Sequence, residues 1–333
     1  MPSRYVIGVD IGGTKLAAGV VDRDLQVHQR VQRPMHGKDT STLLSTMQEA
    51  VQELVNTASD EVVAVGFGIP SLIDRRTGTS VVAINLPLDH LPFEALMSER
   101  LDVPVFVDND GNVAALAEHR GGAALGADDV LALTIGTGIG GGLILGGQVY
   151  RGWVGSGAEL GHMVIDLNGP PCQGNCPNNG CLETMASGTA LAREAVRIAA
   201  ERPDSALGQA LESGRELAGA LVTELAHDGD PAANEVLALI GARLGIALAS
   251  YVNIFNPEVI VLGGGVMAAG EMLLRPVRSE IAARALPPSR DTVRVVRAHY
   301  GADAGMIGAA ALAFDGIDRG AAADGTDSEE VWR

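Results

Sequence analysis

Lysine is almost missing from this chain. Only Lys15 and Lys38 occur in 333 residues, and 24 basic side chains stand against 41 acidic ones, for a formal net charge of −17. A surface of that balance lacks the positive charge that a nucleic-acid backbone demands, so no nucleic-acid partner is expected. Aromatic residues are only 3% of the chain, which leaves Ala, Val, Leu and Ile to build the core, while 43 glycines imply many tight turns and close backbone approaches. No uninterrupted apolar run reaches the length of a bilayer span, and Met1-Pro2-Ser3-Arg4 leads straight into an apolar strand without a charged-then-apolar leader. The expectation is a cytoplasmic protein with no membrane partner. Cysteine is limited to three residues, and that scarcity is informative because of where they fall.

Cys172, Cys176 and Cys181 lie within ten residues of one another, a short distance after Glu159-Leu160-Gly161-His162, and Cys181 is followed by Leu182-Glu183. Three thiolates and an imidazole form a tetrahedral donor set for zinc, closed to further ligands and therefore structural. The competing reading is ordinary buried thiols, or one disulfide with an odd cysteine left over. Flanking Gly169, Pro170, Pro171, Pro177 and Gly180 point to a knuckle rather than a core helix.

At this length the chain suits two domains. Apolar runs at Tyr5–Asp10 and Leu16–Val21, joined by a glycine turn, read as a hairpin, with Gln26–Gln32 as a third strand. Thr42–Ala58 has helical spacing, Val62–Ile69 and Val103–Val107 read as strands, and Phe93–Leu101 and Val113–Glu118 as helical. A second hairpin-like pair, Val130–Ile135 and Gly142–Leu145, begins the theme again. Helices are expected over Gly188–Glu201, Ala206–Ser213, Leu217–His227, Pro231–Phe255 and Ala304–Phe314, and strands at Val259–Leu262 and Val293–Arg297. The expected division is a small α/β domain over 1–117, completed by a terminal helix at 303–315, and a large α/β domain over 118–302 that carries the knuckle at 159–183. The acidic stretch 316–333 reads as disordered. Two domains of similar plan predict a ligand cleft between them.

Four segments carry polar chemistry. In Asp10-Ile11-Gly12-Gly13-Thr14-Lys15, bare backbone amides can approach an anion, Thr14 adds a hydroxyl and Asp10 can hold a hydrated Mg2+; alone, the segment reads equally as a plain glycine hairpin. Thr134-Ile135-Gly136-Thr137-Gly138-Ile139-Gly140 contains the letters of a dinucleotide fingerprint. Another short strand follows it instead of a helix, so a second phosphate turn is the better reading. Asp108-Asn109-Asp110-Gly111-Asn112 lies between a strand and a helix, where Asp110 can take a proton from a hydroxyl and Asn112 can serve as a helix cap. Gly263-Gly264-Gly265 follows a buried strand and would let a ribose or ring lie on bare backbone, or would simply turn the chain.

Together these segments resemble the ROK family (repressors, open reading frames, kinases), over nearly the whole chain from Tyr5 to about Phe314. The specific part is the knuckle, which the family writes Glu-x-Gly-His, then Cys-x-Cys-Gly-x-x-Gly-Cys-x-Glu. This chain departs at the first cysteine, placed at Cys172 where the pattern puts one at Gly174. The resemblance implies an actin-like (ribonuclease H-like) two-domain ATPase fold of the hexokinase type with a central cleft. It implies Asp110 as general base; Asn85, Asn109, Glu159, His162 and Glu183 as sugar ligands; and His162, Cys172, Cys176 and Cys181 as ligands to a structural Zn2+. Asp10, Gly12, Gly13, Thr14, Lys15, Thr134, Gly136, Thr137, Gly138, Gly263, Gly264 and Gly265 would hold ATP and Mg2+. The implied activity is ATP-dependent phosphorylation of a hexose at its 6-hydroxyl, with glucose the expected sugar, by a homodimer or homotetramer. Leu88-Asp89 after Asn85-Leu86-Pro87, where the family often has Gly-Trp, and Ser71 in place of a common Gly, mark where sugar preference can differ. Another hexose or an N-acetylhexosamine is the alternative substrate, and inorganic polyphosphate the alternative donor. A sugar-sensing repressor, also found in the family, needs a DNA-binding module ahead of the sugar domain. The first strand begins at Tyr5, which argues against that reading.

Overall fold

The computed structural model describes residues 4–35, 37–83, 86–174 and 176–325. They divide into two compact units. The first comprises Met1–Gly126, Val149–Ala158 and Ala302–Arg333, and the second Ala127–Gln148 and Glu159–Gly301. The expected division after residue 117 falls inside a helix, and the first unit runs on to Gly126.

The first unit opens with β1 (Tyr5–Ile11), β2 (Lys15–Val21) and β3 (Val27–Pro34), an antiparallel meander closed by glycine and aspartate turns, in which β1 is a buried β-branched run and β3 alternates half-buried and exposed residues. α1 (Thr40–Thr57) follows, capped by Asp39, whose carboxylate accepts from the Thr42 N–H at 2.8 Å. Its buried stripe of Leu43, Met47, Val51 and Leu54 packs with Ile7, Val9 and Ile11 in one core. β4 (Val62–Ile69) pairs parallel with β1. The small hairpin β5 (Ser71–Asp74) and β6 (Thr79–Ala83) follows, then α2 (Phe93–Leu101), β7 (Val105–Asn109) parallel to β4, and α3 (Asp110–Gly121). The sheet order is β3-β2-β1-β4-β7.

The second unit repeats that plan. β8 (Val130–Ile135) and β9 (Ile139–Leu145) pair antiparallel, with the two-residue β10 (Gln148–Val149) beyond them. β9 starts at Ile139, earlier than the sequence reading placed it, so Gly140 and Gly141 are ladder residues opposite Thr134 and Leu133. The helices are α4 (Leu182–Ala186), α5 (Gly188–Glu201), α6 (Ala206–Glu212), α7 (Gly219–His227) and α8 (Pro231–Phe255). β11 (Val259–Gly263) lies parallel to β8; α9 (Glu271–Arg284), α10 (Ser289–Thr292) and β12 (Arg294–Arg297) complete the order β10-β9-β8-β11-β12.

By length and composition α8 is apolar enough to cross a bilayer, with a mean hydropathy of 1.6. Glu235 and Arg243 interrupt the run, which is why the sequence does not read as a span. Its apolar side is buried against α4, α5, α7 and α9, and it begins at an Asp230 cap with Pro231 in the first turn.

The chain then returns to the first unit in α11 (Ala304–Gly325). This helix lies directly on the sheet, because paired Gly8 and Gly66 present no side chain. A Cβ on Gly66 would lie 1.8 Å from the Ala309 carbonyl oxygen, and one on Gly8 would lie 2.0 Å from that of Met306. The acidic stretch expected to be disordered from residue 316 is helical to Gly325. Asp315 and Asp318 pair with Arg120 and Arg23, each at 2.8 Å, and Gly316 packs on the Phe106 ring. Residues 326–333 lie outside the described residues.

Candidate functional site

In the first unit, polar groups gather at the carboxyl ends of β1, β4 and β7. Asn109 ends β7, and its Oδ1 accepts from the Gly111 and Asn112 N–H groups at 2.8 and 3.3 Å, which makes it the N-cap of α3. Sequence reasoning offered Asn112 for that role. Asn112 instead is buried one turn in and donates from Nδ2 to Asp108 Oδ1 at 2.8 Å. Asp110 therefore opens the helix, and its carboxylate accepts from the Gly111 N–H at 2.9 Å.

Asp108 is 3% exposed and fully engaged. It also accepts from the Asn109 N–H at 2.8 Å and from Arg151 Nε at 2.6 Å. A buried carboxylate with an arginine and two further donors is a brace for the strand end that presents Asp110. Asn109 Nδ2 donates to the Ser71 carbonyl at 3.3 Å. The Ser71 hydroxyl is turned away into the β5–β6 hairpin, donating to Val82 O at 2.9 Å and lying 2.6 Å from Ser80 Oγ. Leu88 is 1% exposed in the core. Both side chains are buried, so any effect of these two positions on sugar preference would act through the backbone or the packing behind it. Asn85 lies outside the described residues.

The first glycine turn, Gly12–Lys15, joins β1 to β2 and closes with the Gly12 N–H donating to Lys15 O at 2.8 Å. Gly13 is partly exposed, and Thr14 and Lys15 are exposed. Asp10, on the same side of β1 as Gly8, meets the start of α11: a Cβ on Gly305 would lie 2.4 Å from its Cγ. Burial lifts the Asp10 carboxyl to about 6, against the opposing charge of Lys15.

In the second unit, two glycine segments meet at the carboxyl ends of β8 and β11. Ile135 pairs with Ile139, so the turn between them is Gly136-Thr137-Gly138, which follows directly on Thr134 and Ile135. Gly263 is in register with Thr134. Gly264, at φ +88°, lies so close to β8 that a Cβ there would be 2.3 Å from Ile135 O, and Gly265 has open space beside it.

The knuckle lies in the same unit. Pro171 bridges to Asn179, Cys172 N–H donates to Asn178 O at 2.8 Å, and Gly180 holds φ +64°, where a side chain would strike Asp166 O. This pairing brings in Cys172 despite its displaced position in the sequence. The ligand atoms of His162, Cys172, Cys176 and Cys181 all lie within 4.8 Å of one another. Cys176 and Cys181 sulfurs are 3.8 Å apart, and Cys172 Sγ is 3.4 Å from His162 Nδ1. Tetrahedral zinc with Zn–S of about 2.3 Å requires sulfurs about 3.8 Å apart, so the donor set fits. Burial, then the neighbouring sulfurs, push Cys172 up to about 12, so three adjacent thiolates are an arrangement that a cation relieves.

With Nδ1 turned to the thiols, His162 Nε2 faces Glu159, whose Oε2 is 3.9 Å away. Burial raises the Glu159 carboxyl, with His162 opposing and Glu183 adding. Glu183, at the far end of the knuckle, is turned to the glycine turn: its Oε2 accepts from the Ile139 N–H at 2.8 Å.

The sequence pattern of the ROK family matches residues 6–315. The chain belongs to the ROK family. The glucokinase of Thermotoga maritima is 37% identical over 317 residues, which are 94% of this chain and 98% of that enzyme. A solved ROK family glucokinase from Streptomyces griseus, in complex with glucose and AMPPNP, is 35% identical and superposes with a TM-score of 0.82, over 93% of this chain and 99% of that one. The xylose repressor of Bacillus subtilis is 28% identical over 317 residues, 93% of this chain and 77% of the repressor. The paired sheets are thus those of the actin-like sugar-kinase fold.

Sequence reasoning missed the residues that hold this ROK site in place. Tyr251, buried on α8, donates its hydroxyl to Leu160 O and pins the 3-10 turn Leu160–His162 that follows Glu159. Arg243 donates to Met185 O at 3.0 Å and Arg193 to Thr184 O at 2.7 Å, satisfying carbonyls of α4. Arg243 is held in turn by Glu194 at 3.0 Å. Each contact spans dozens of residues or depends on a helix register, and no local motif announces it.

Proposed function

We propose that this chain is an ATP-dependent glucokinase that converts glucose to glucose 6-phosphate. A sugar hydroxyl is a poor nucleophile until its proton is removed, and phosphoryl transfer otherwise needs positioning and charge neutralisation. Asp110 takes the 6-hydroxyl proton. Its carboxylate opens α3 at the end of β7, the parallel edge strand, oriented by the Asn109 cap and the Asp108–Arg151 brace. Asn109 keeps one side-chain N–H beyond its bond to Ser71 for a sugar oxygen. Asn85, Glu159, His162 and Glu183 are the other sugar ligands. Asp10 and the turn Gly12–Lys15, with Thr134, Gly136–Gly138 and Gly263–Gly265, serve ATP with its Mg2+, which neutralises phosphate charge. His162, Cys172, Cys176 and Cys181 would hold a structural zinc that fixes the angle of His162 and Glu183. The reaction belongs in the cytoplasm, where ATP is available.

The observation that carries this reading is Asp110 at the head of α3, in a chain that matches glucokinases nearly end to end at 35–37% identity. A non-catalytic sugar sensor, the reading favoured by the repressor relative, is the weaker one: the identity is lower and the carboxylate would have no task. The test is a coupled ADP-release assay with Mg-ATP over a panel of hexoses and N-acetylhexosamines. Preference for glucose is expected. Turnover confined to another sugar would move the substrate. Silence with ATP but turnover with inorganic polyphosphate would move the donor, and silence with both would favour the sensor.

A further inference from the structure

The loop Gly136-Thr137-Gly138 has little of its own to hold its shape. Two of its three residues carry no side chain, and a Cβ on Gly136 would meet nothing within 4 Å. It has one internal bond, from the Gly136 N–H to Gly138 O at 2.9 Å. Outside the β8–β9 ladder that brackets it, its hydrogen bonds among the described residues come from a single short segment. The Gly188 N–H donates to Gly136 O at 2.7 Å, Thr189 Oγ1 donates to Thr137 O at 2.8 Å, and Glu183 Oε2 receives the Ile139 N–H at 2.8 Å. Two loop carbonyls are thereby occupied and kept from repelling an anion, while the loop's far end is held by a carboxylate.

Glu183 is itself fixed from both sides. Cys181, two residues earlier, is fully buried in the donor cluster, and the α4 carbonyls that follow are clamped by Arg193 and Arg243. The fit is tight enough to dictate the neighbouring residue: a Cβ at position 138 would lie 2.3 Å from Glu183 Oε2. We propose that Glu183 is a positioning residue for the donor-phosphate turn, fastening Gly136–Ile139 to the end of the metal knuckle, beyond any contact it makes with sugar. The knuckle then serves the nucleotide as well as the hexose. This inference rests on the reading that the turn takes the donor phosphates.

The test uses the full chain with its zinc. Calorimetric titration with Mg-ADP and, separately, with glucose is compared among wild type, Glu183→Ala, Glu183→Gln and Thr189→Val, with amide exchange at Ile139 followed in each. A charge-assisted hydrogen bond should be worth about tenfold or more in affinity. Glu183→Ala is expected to weaken Mg-ADP by at least about tenfold and to expose the Ile139 amide to exchange. Glu183→Gln, whose amide oxygen still accepts from Ile139, should recover most of both. Thr189→Val, an exposed change that leaves the knuckle intact, should weaken Mg-ADP severalfold with glucose binding unchanged. Glu183→Ala and Thr189→Val that both bind Mg-ADP as wild type does, with only glucose weakened in the former, would overturn the inference. A wild type that binds glucose but no Mg-ADP would instead overturn the assignment of the turn to phosphate, and this inference with it.

Discussion

Replacing Asp10 by Asn isolates the cost of holding a carboxylate against the first turn of α11. Burial lifts this carboxyl from an ordinary 3.8 to about 6, so the folded protein holds its proton more tightly than the unfolded chain does. The sign follows from linkage: stability falls as pH rises from about 4 to about 6, and the cost is fully present above that window. At ~1.4 kcal/mol per pH unit, the gap corresponds to at most about 3 kcal/mol. Asp10→Asn cannot ionise and should escape that cost. Without nucleotide or Mg2+, the variant should melt several degrees above wild type at pH 7.5, and the difference should shrink toward zero near pH 4. Its turnover with Mg-ATP should nevertheless drop by about tenfold or more, because the charge that strains the fold is the charge proposed to hold the cation. Thermal unfolding across pH, with both proteins in the same buffers, reads the effect. An Asn variant no more stable than wild type at pH 7.5, or a difference that does not change with pH, would refute the reasoning.

Three other outcomes follow from particular contacts. Tyr251→Phe removes the donor to Leu160 O and should cost about 1–3 kcal/mol in denaturant unfolding, while raising the glucose KM severalfold with kcat little changed. Arg151→Ala leaves Asp108 buried without its cation, and should destabilise by about 2–4 kcal/mol, read as a shift in the urea midpoint. Metal analysis should find one zinc per chain. Cys172→Ser should lose it and the glucose affinity together, whereas a variant that keeps the metal would remove Cys172 from the ligand set.

The elements that could be read from sequence are those whose pattern is local. The β-branched runs of β1, β4 and β8, the stripe of α1 and the Asp230-Pro231 start of α8 each announce themselves within a few residues. The spacing of the cysteines likewise gave the donor cluster, including Cys172, because a knuckle is a local structure. α9 went unread because Pro276 sits inside it and no side chain caps it. The β5–β6 hairpin was hidden in a segment rich in turn residues. The cap at Asn109 rather than Asn112 turned on where the helix starts, a boundary that Asp110-Gly111 leaves open by three residues. The burial of Leu88 in the core was not legible, because its neighbours Pro87 and Asp89 read as a turn.

The most direct measurement of the central claim is the turnover of Asp110→Asn beside its glucose affinity, at saturating Mg-ATP. An amide keeps the shape of the carboxylate and its bond to Gly111 but cannot take a proton. A kcat lower by about 10²–10⁴ is expected, with a glucose Kd within a few-fold of wild type. Near-normal turnover in that variant would contradict the claim.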